Sequence, residues 1–335
     1  MRITDFLDAR HPFPSLEIIP PQSGIVKDEL LDNIAPLMEF KPRYINVTTH
    51  RDEVRYTPKG DGSFLREVVR SRVSPVAVCG SIQSRYDVEV VPHIICAGNT
   101  AAEIEWLVQD FHFLGIDNVM ALRGDSLAGE KRFNPVPGGY AHADELVRAI
   151  RRMEGGANLC IGVGGYPEKH FEAANLETDI QYLKGKVDAG ADCIITQMFF
   201  DNAVFYRFVD RCRAAGITVP VIPGLKPLTT ARQVNLLPES FSIDIPVELT
   251  DAVKDAGDDK EAVRRLGVEW CTAQCRDLLK HGVPAVHFYT MGKSSNVVEI
   301  LRNCFKSNGY YEKNLDWGPV GPDGLRNCDG GATGF

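Results

Sequence analysis

Eight times along this chain a short run of strand-forming apolar residues gives way to a stretch with helical spacing, which points to a parallel α/β architecture. Parallel neighbours cannot be joined by tight turns, so each strand needs a crossover long enough to hold a helix. The strands are expected at residues 15–21, 44–49, 88–96, 118–122, 159–167, 193–201, 218–227 and 285–290. Helices are expected at 28–40, 64–73, 76–86, 100–115, 142–153, 175–189, 202–215, from 230, and at 246–256, 260–281 and 296–305. Residues 50–63 are charged and contain glycine, so they read as an exposed loop. Eight units in succession predict one (β/α)₈ TIM barrel over residues 1–305, with extra helices before strand 8. The Gly-rich segment 306–335 is expected to be a flexible or loosely attached tail.

In such a barrel the chemistry belongs at the carboxyl ends of the strands, where strands fix the backbone and loops free the side chains. The stretch Asn118-Val-Met-Ala-Leu-Arg-Gly-Asp125 delivers a cation and a carboxylate together at one such end. Its apolar lead-in argues against an exposed adhesion tripeptide. Glu17, Thr48, His93, Arg123, Asp125, Tyr166, Gln197, Lys226 and Tyr289 fall at equivalent positions, and one shared pocket explains them better than separate coincidences.

Glu17 lies among apolar residues, where lost hydration raises a carboxyl's pKa and suits it to act as a general acid; a strand-end carboxylate paired with a nearby cation is the competing reading. Asp125, beside Arg123 and Gly124, is expected to stay ionised, so the two carboxyls would play different parts. Gln197 is a neutral amide inside an apolar run and suits a planar heterocycle with donor and acceptor edges. His93 fits a site residue or a core histidine bonded to a carbonyl, and Tyr289 a site residue or a core aromatic. Asp179 and Lys186 are seven apart on one side of a helix, within reach of a nucleotide, although spacing alone favours a solvated face. Gly162-Val-Gly-Gly-Tyr-Pro167 lacks the third glycine of a dinucleotide fingerprint and the Gly-Lys-Ser of a phosphate loop.

A net charge of −8, with no basic run, speaks against nucleic acid or an anionic membrane surface as a partner. No signal peptide or membrane span is read, so a soluble cytoplasmic protein is expected. The nine cysteines are odd in number and scattered through apolar runs, which fits reduced core thiols; no structural metal is expected.

The ordered set Glu-Ile-Ile-Pro-Pro at 17–21, Asn-Val-Thr at 46–48, Pro-His at 92–93, Ala-Leu-Arg-Gly-Asp at 121–125 and Gly-Tyr-Pro-Glu-Lys-His at 165–170 resembles methylenetetrahydrofolate reductase. So do Lys-Val-Asp-Ala-Gly-Ala at 186–191, Ile-Thr-Gln-Met-Phe-Phe-Asp at 195–201, Ile-Pro-Gly at 222–224 and His-Phe-Tyr-Thr at 287–290. The likeness covers about residues 15–305 and is to the bacterial type, a catalytic barrel alone. It implies FAD across the strand ends and ping-pong hydride transfer, in which NADH or NADPH reduces the flavin and 5,10-methylenetetrahydrofolate is then reduced to 5-methyltetrahydrofolate.

Glu17 matches the family's ring-opening acid and Asp125 the carboxylate beside flavin and folate. Thr48, Thr49, His93, Arg123, Gly124, Asp125, Tyr140, Ala141, Tyr166, His170, Asp179 and Lys186 match flavin-contacting positions. Gln197, Gln233, Tyr289 and Lys293 are the expected substrate contacts, and a homo-oligomer is expected. Lys293 stands where the family pattern has Arg, Leu237 where it has a stacking Phe, and the loop after Thr49 is longer than the family's. The alternatives are another barrel flavoprotein dehydrogenase, such as one acting on proline, and a folate-binding barrel without catalysis.

Overall fold

The computed structural model describes residues 1–126, 133–290 and 294–306. In chain order its elements are β1 (Phe13–Ile18), α1 (Lys27–Met38), β2 (Tyr44–Val47), β3 (Glu53–Pro58), β4 (Phe64–Val69), α2 (Pro75–Gln83), β5 (Glu89–Ile95) and α3 (Ala101–Phe113). There follow β6 (Asn118–Leu122), α4 (Ala143–Ile150), β7 (Cys160–Gly165), α5 (Leu176–Asp188), β8 (Cys193–Met198), α6 (Asn202–Ala214) and β9 (Val221–Leu225). The last are α7 (Gln233–Phe241), α8 (Val247–Ala256), α9 (Lys260–Lys280), β10 (Ala285–Tyr289) and α10 (Ser295–Leu301).

Strands β1, β2, β5, β6, β7, β8, β9 and β10 follow one another around a closed parallel barrel, and β10 returns to β1. The expected TIM barrel is therefore present, and α7, α8 and α9 are the extra helical run before its eighth strand. Helix α3 shows how each unit docks. Ile104, Val108 and Phe111 share one face and are fully buried, while Thr100 and Glu103 close the N-terminus as a capping box. Burying such side chains stabilises the unit by about 1.5–3 kcal/mol each.

Inside the barrel Phe13, Tyr44, Met120, Cys160, Cys193 and Ile222 form a separate packed cluster. Its lower end is plugged by the turn Ile3–Phe6, in which buried Ile3 donates its N–H to Asn118 Oδ1 at 2.7 Å. The opposite end, at the strand carboxyl termini, is left for a site.

One expectation is corrected. Residues 50–69 hold neither a plain loop nor the start of a helix, because β3 and β4 pair antiparallel from Glu53↔Val69 to Pro58↔Phe64. The turn between them closes through Lys59 N–H to Ser63 O at 2.7 Å, with Gly62 at φ +81°. Helical backbone begins only at Pro75, where Ser74 caps α2 by accepting from Ala77 N–H. This hairpin forms its own two-stranded sheet and rises from the end of β2, at the open end of the barrel.

Candidate active site

Glu17, on β1, is the centre of the mouth. Its side chain is 16% exposed, and Oε2 lies 3.5 Å from His93 Nε2 on β5 and 3.7 Å from His287 Nε2 on β10. The backbone is fixed as well, since Thr290 donates both its N–H and its Oγ1 hydroxyl to Glu17 O, at 3.2 and 2.8 Å. Burial raises the Glu17 carboxyl pKa, as its apolar neighbours suggest, but the closeness of His287, His93 and His50 outweighs it and holds the carboxyl below its ordinary range. Of the two readings left open by the sequence, the structure is nearer the paired carboxylate, with imidazoles in place of a Lys or Arg.

His93 is pushed down to about 4 by burial, with Glu17 opposing and His287 and His50 adding to the fall, so near neutral pH its ring is uncharged. Asn46 Nδ2 lies 3.3 Å from His93 Nε2, and Thr49 donates its hydroxyl to His93 O. Thr48 Oγ1 sits 3.1 Å from His50 Nε2. Glu17 near the end of β1 and Asp125 just after β6 both stand at the carboxyl-terminal, open end of the parallel barrel, with His50 at the root of the hairpin beside it.

Arg123 follows β6, forms an ion pair with Glu172 and lies over the Phe133 ring at 5.0 Å. Gly124 has φ +80°, and a side chain there would meet Ala97 Cβ at 2.8 Å, so this turn requires glycine. Asp125 is exposed beyond it.

Beside β7, Tyr166 meets His170 edge to face at 4.7 Å, and Lys186 Nζ lies 5.8 Å from the Tyr166 ring centre. Asp179 is 7% exposed and accepts the His170 N–H at 3.0 Å, while Lys186 donates to Gly164 O. This side of α5 is therefore packed inward against the β7 end and is not a solvated face. Burial lowers the Lys186 pKa to about 8, against the pull of Asp179, and burial raises that of Asp179. His170 is pushed to about 4, by burial first and then by Arg123. Tyr140 and Ala141 lie just ahead of α4, where Ala141 N–H donates to Glu145.

Gln197 occupies an irregularity in β8 between Ile195 and Met198, a common device for re-aiming a side chain beside a site. Its Oε1 accepts the Met198 N–H at 2.9 Å. With Tyr166, Glu168 and Ser242 it lines a narrow crevice. Gln233 starts α7, and its Oε1 accepts from Thr229 N–H, Thr229 Oγ1 and Thr230 N–H, so in this state it is a local cap. Tyr289 donates to Thr196 O at 2.6 Å and meets His287 edge to face at 5.1 Å.

Lys226, expected at the mouth, is only 4% exposed; burial lowers its pKa, and its Nζ donates to Pro227 O at 3.4 Å. Leu237 is 3% exposed and packs with Met198, Phe200 and Leu228, so it offers no open stacking surface. Lys293 lies outside the described residues. His50, Asn46, Ser15 and His287 join the site without having been singled out, although His287 and Ser15 were readable as polar residues in apolar strands. A cavity of about 240 Å³ opens beside the mouth, between the end of β1, α1 and Arg72.

A family model described as methylenetetrahydrofolate reductase matches residues 2–304. Methylenetetrahydrofolate reductase (NADH) 1 of Arabidopsis thaliana is 34% identical over 298 residues, covering 86% of this chain and 48% of that protein. The 5,10-methylenetetrahydrofolate reductase of Escherichia coli is 31% identical over 280 residues, covering 84% of this chain and 86% of that protein. The chain spans about half the length of the first curated relatives it matches. A solved structure of a Clostridium thermocellum protein, described as binding two copies of 5-methyl-5,6,7,8-tetrahydrofolic acid, matches with a TM-score of 0.55 at 13% identity, covering 91% of this chain and 98% of that one. At that identity the likeness shows the fold.

Proposed function

Given that the chain belongs to the methylenetetrahydrofolate reductase family, we propose that it reduces 5,10-methylenetetrahydrofolate to 5-methyltetrahydrofolate, with NADH or NADPH as reductant and FAD as carrier. The observation that carries this reading is Glu17 held among His93 and His287 at the same open end as Asp125. That the Clostridium thermocellum barrel binds a methylated tetrahydrofolate supports the substrate class. Relatives carry both NADH and NADPH in their names, so the choice of nicotinamide stays open. The eight described cysteines are all free and buried, which fits work in the reducing cytoplasm.

The donor set suits FAD. Arg123 and Lys186 are cations fit for phosphates once they turn from Glu172 and Gly164 O, and buried Asp179 is an acceptor fit for a ribose hydroxyl. Thr48, Thr49, His93, Gly124, Asp125, Tyr140 and Ala141 would complete the cradle. When bound, FAD supplies a two-electron carrier that accepts hydride from the nicotinamide and returns it to the folate.

The chain's own residues do the rest. Glu17 gives a proton to the leaving nitrogen of the bridged substrate, so that its five-membered ring opens to a cationic iminium. The Asp125 carboxylate would stabilise that positive charge. Gln197 and Tyr289 orient the heterocycle, Lys293 meets the substrate's carboxylate tail, and Gln233 must release Thr229 and Thr230 to reach the folate. Nicotinamide and folate would take turns at this mouth.

The test is a pair of half-reactions. Glu17→Gln keeps flavin reduction by nicotinamide and loses folate reduction by about 10²–10⁴-fold. Equal loss of both half-reactions would remove Glu17 from the ring-opening step.

A further inference from the structure

The cavity of about 240 Å³ beside the mouth lies on the outer side of the barrel wall, and the reaction as described does not use it. Successive strand residues point to opposite faces. Glu17 faces the mouth, whereas Ile18 packs outward with Leu30, Ile34 and Leu37 of α1, and these four form the cavity's apolar floor. Ile25, 36% exposed, carries that surface to the rim. The walls are tied by backbone bonds between the β1–α1 connection and the return leg of the hairpin. Ser23 N–H donates to Ser71 O at 2.9 Å, and Val73 N–H to Pro21 O at 3.1 Å. The hollow is therefore built into the fold.

Two opposite charges border this floor. Arg72 uses Nη1 to donate to Pro20 O at 2.8 Å, and Glu29 stands one helical turn before Asn33 on the exposed side of α1. Among the described residues neither Arg72 nor Glu29 forms an ion pair, with the other or with any third group. A cation and an anion held apart over an apolar surface match a zwitterion with an apolar side chain. We propose that this cavity binds a free α-amino acid with an aliphatic side chain, its carboxylate on Arg72 and its ammonium on Glu29. The guanidinium fork suits the two carboxylate oxygens, the Asn33 amide oxygen is a second acceptor for the ammonium, and the aliphatic chain covers the floor.

Size and charge separate this ligand from others. A cavity of about 150 Å³ takes benzene, and sites for drug-sized molecules begin at about 300 Å³. The space here admits one amino acid and is too small for a nucleotide or a whole folate. A phosphate or a dicarboxylate would meet Arg72 but bring a second negative charge toward Glu29. An aliphatic monocarboxylate would leave Glu29 without a partner.

The test is titration of the full chain with L-leucine, followed by calorimetry and by saturation-transfer NMR. One saturable site per chain is expected. Arg72→Met and Glu29→Gln each weaken binding by about 10–100-fold, as loss of a charge-assisted hydrogen bond does. Glu29 lies on an exposed helix face, so Glu29→Gln keeps the test open if Arg72→Met fails to fold. L-Leucinamide, which lacks the carboxylate, binds more weakly than L-leucine and is indifferent to Arg72→Met. N-Acetyl-L-leucine, which lacks the ammonium, is indifferent to Glu29→Gln. No saturation with L-leucine up to about 10 mM, or binding that neither substitution weakens, overturns the proposal. Binding of p-aminobenzoylglutamate that Arg72→Met abolishes, with no binding of L-leucine, would give the cavity to the substrate's tail and overturn it too. Neither flavin nor folate reduction enters the assay, so its result stands apart from the proposed reaction.

Discussion

Gly224 sits where two walls of the mouth nearly touch, and replacing it by alanine is a severe test of that closeness. Its N–H donates to Thr196 Oγ1 at 3.0 Å, and an added Cβ would press on Thr196 O and stand 2.7 and 2.9 Å from the Tyr289 ring and hydroxyl. Moving Tyr289 alone cannot relieve the contact with Thr196 O, so β9 must draw back from β8 and Tyr289 must give up its bond to Thr196 O. Overpacking of this kind costs about 1–3 kcal/mol, and the lost hydrogen bond about 0.5–1.5. A loss of unfolded-chain entropy returns about 0.4–1 kcal/mol. The expected net destabilisation of Gly224→Ala is about 2 kcal/mol by urea unfolding followed by circular dichroism. In a Tyr289→Phe background the ring clash persists but the hydrogen bond is already gone, so the cost falls by about 1 kcal/mol. A change under about 0.5 kcal/mol in the parent background would show that β9 and Tyr289 are not in close contact.

Three further outcomes are expected. Lys186 holds a proton only up to about pH 8 when folded but to its ordinary range when unfolded, so the unfolded chain binds more protons between the two and stability rises with pH there; Lys186→Met removes that rise, read as the difference between the two unfolding curves. Glu168 is pushed up to about 7 by burial, and by Asp244 and Asp201 against the Asp244 N–H bond, so the folded state binds more protons above the ordinary carboxylate range and loses stability as pH rises toward 7; Glu168→Gln keeps an acceptor for Asp244 N–H and gains about 1–2 kcal/mol at neutral pH but nothing in mild acid. Replacing residues 53–69 by a short Gly-Ser linker leaves barrel stability within about 1 kcal/mol, because β3 and β4 pair only with each other; a larger loss in urea would show that the hairpin braces the barrel.

The barrel was legible because its eight strands are short apolar runs whose crossovers carry helical spacing, a local signal repeated along the chain. The hairpin was not. Phe64-Leu65-Arg66-Glu67-Val68-Val69 places apolar residues in adjacent pairs that helical spacing also accepts, and the strand preference of the Val pair became decisive only through pairing with residues 53–58. Gly60 and Gly62 between the two runs were the available turn signal. Glu17 and His93 stood out as polar residues in apolar strands, but Ser15 and His287 meet only because the first and last strands close the barrel, 272 positions apart. The two readings of Glu17 could not be separated for the same reason, since its imidazole neighbours come from other strands. The capping bonds of Gln233 were not legible either, since they follow from the turn at Thr229 and Thr230.

The most direct measurement is an anaerobic two-step titration of the protein loaded with FAD. Flavin absorbance should bleach on adding NADH or NADPH and recover on adding 5,10-methylenetetrahydrofolate, with 5-methyltetrahydrofolate formed in equal amount. Colour that neither nicotinamide changes, or that folate fails to restore, would contradict the proposed reductase.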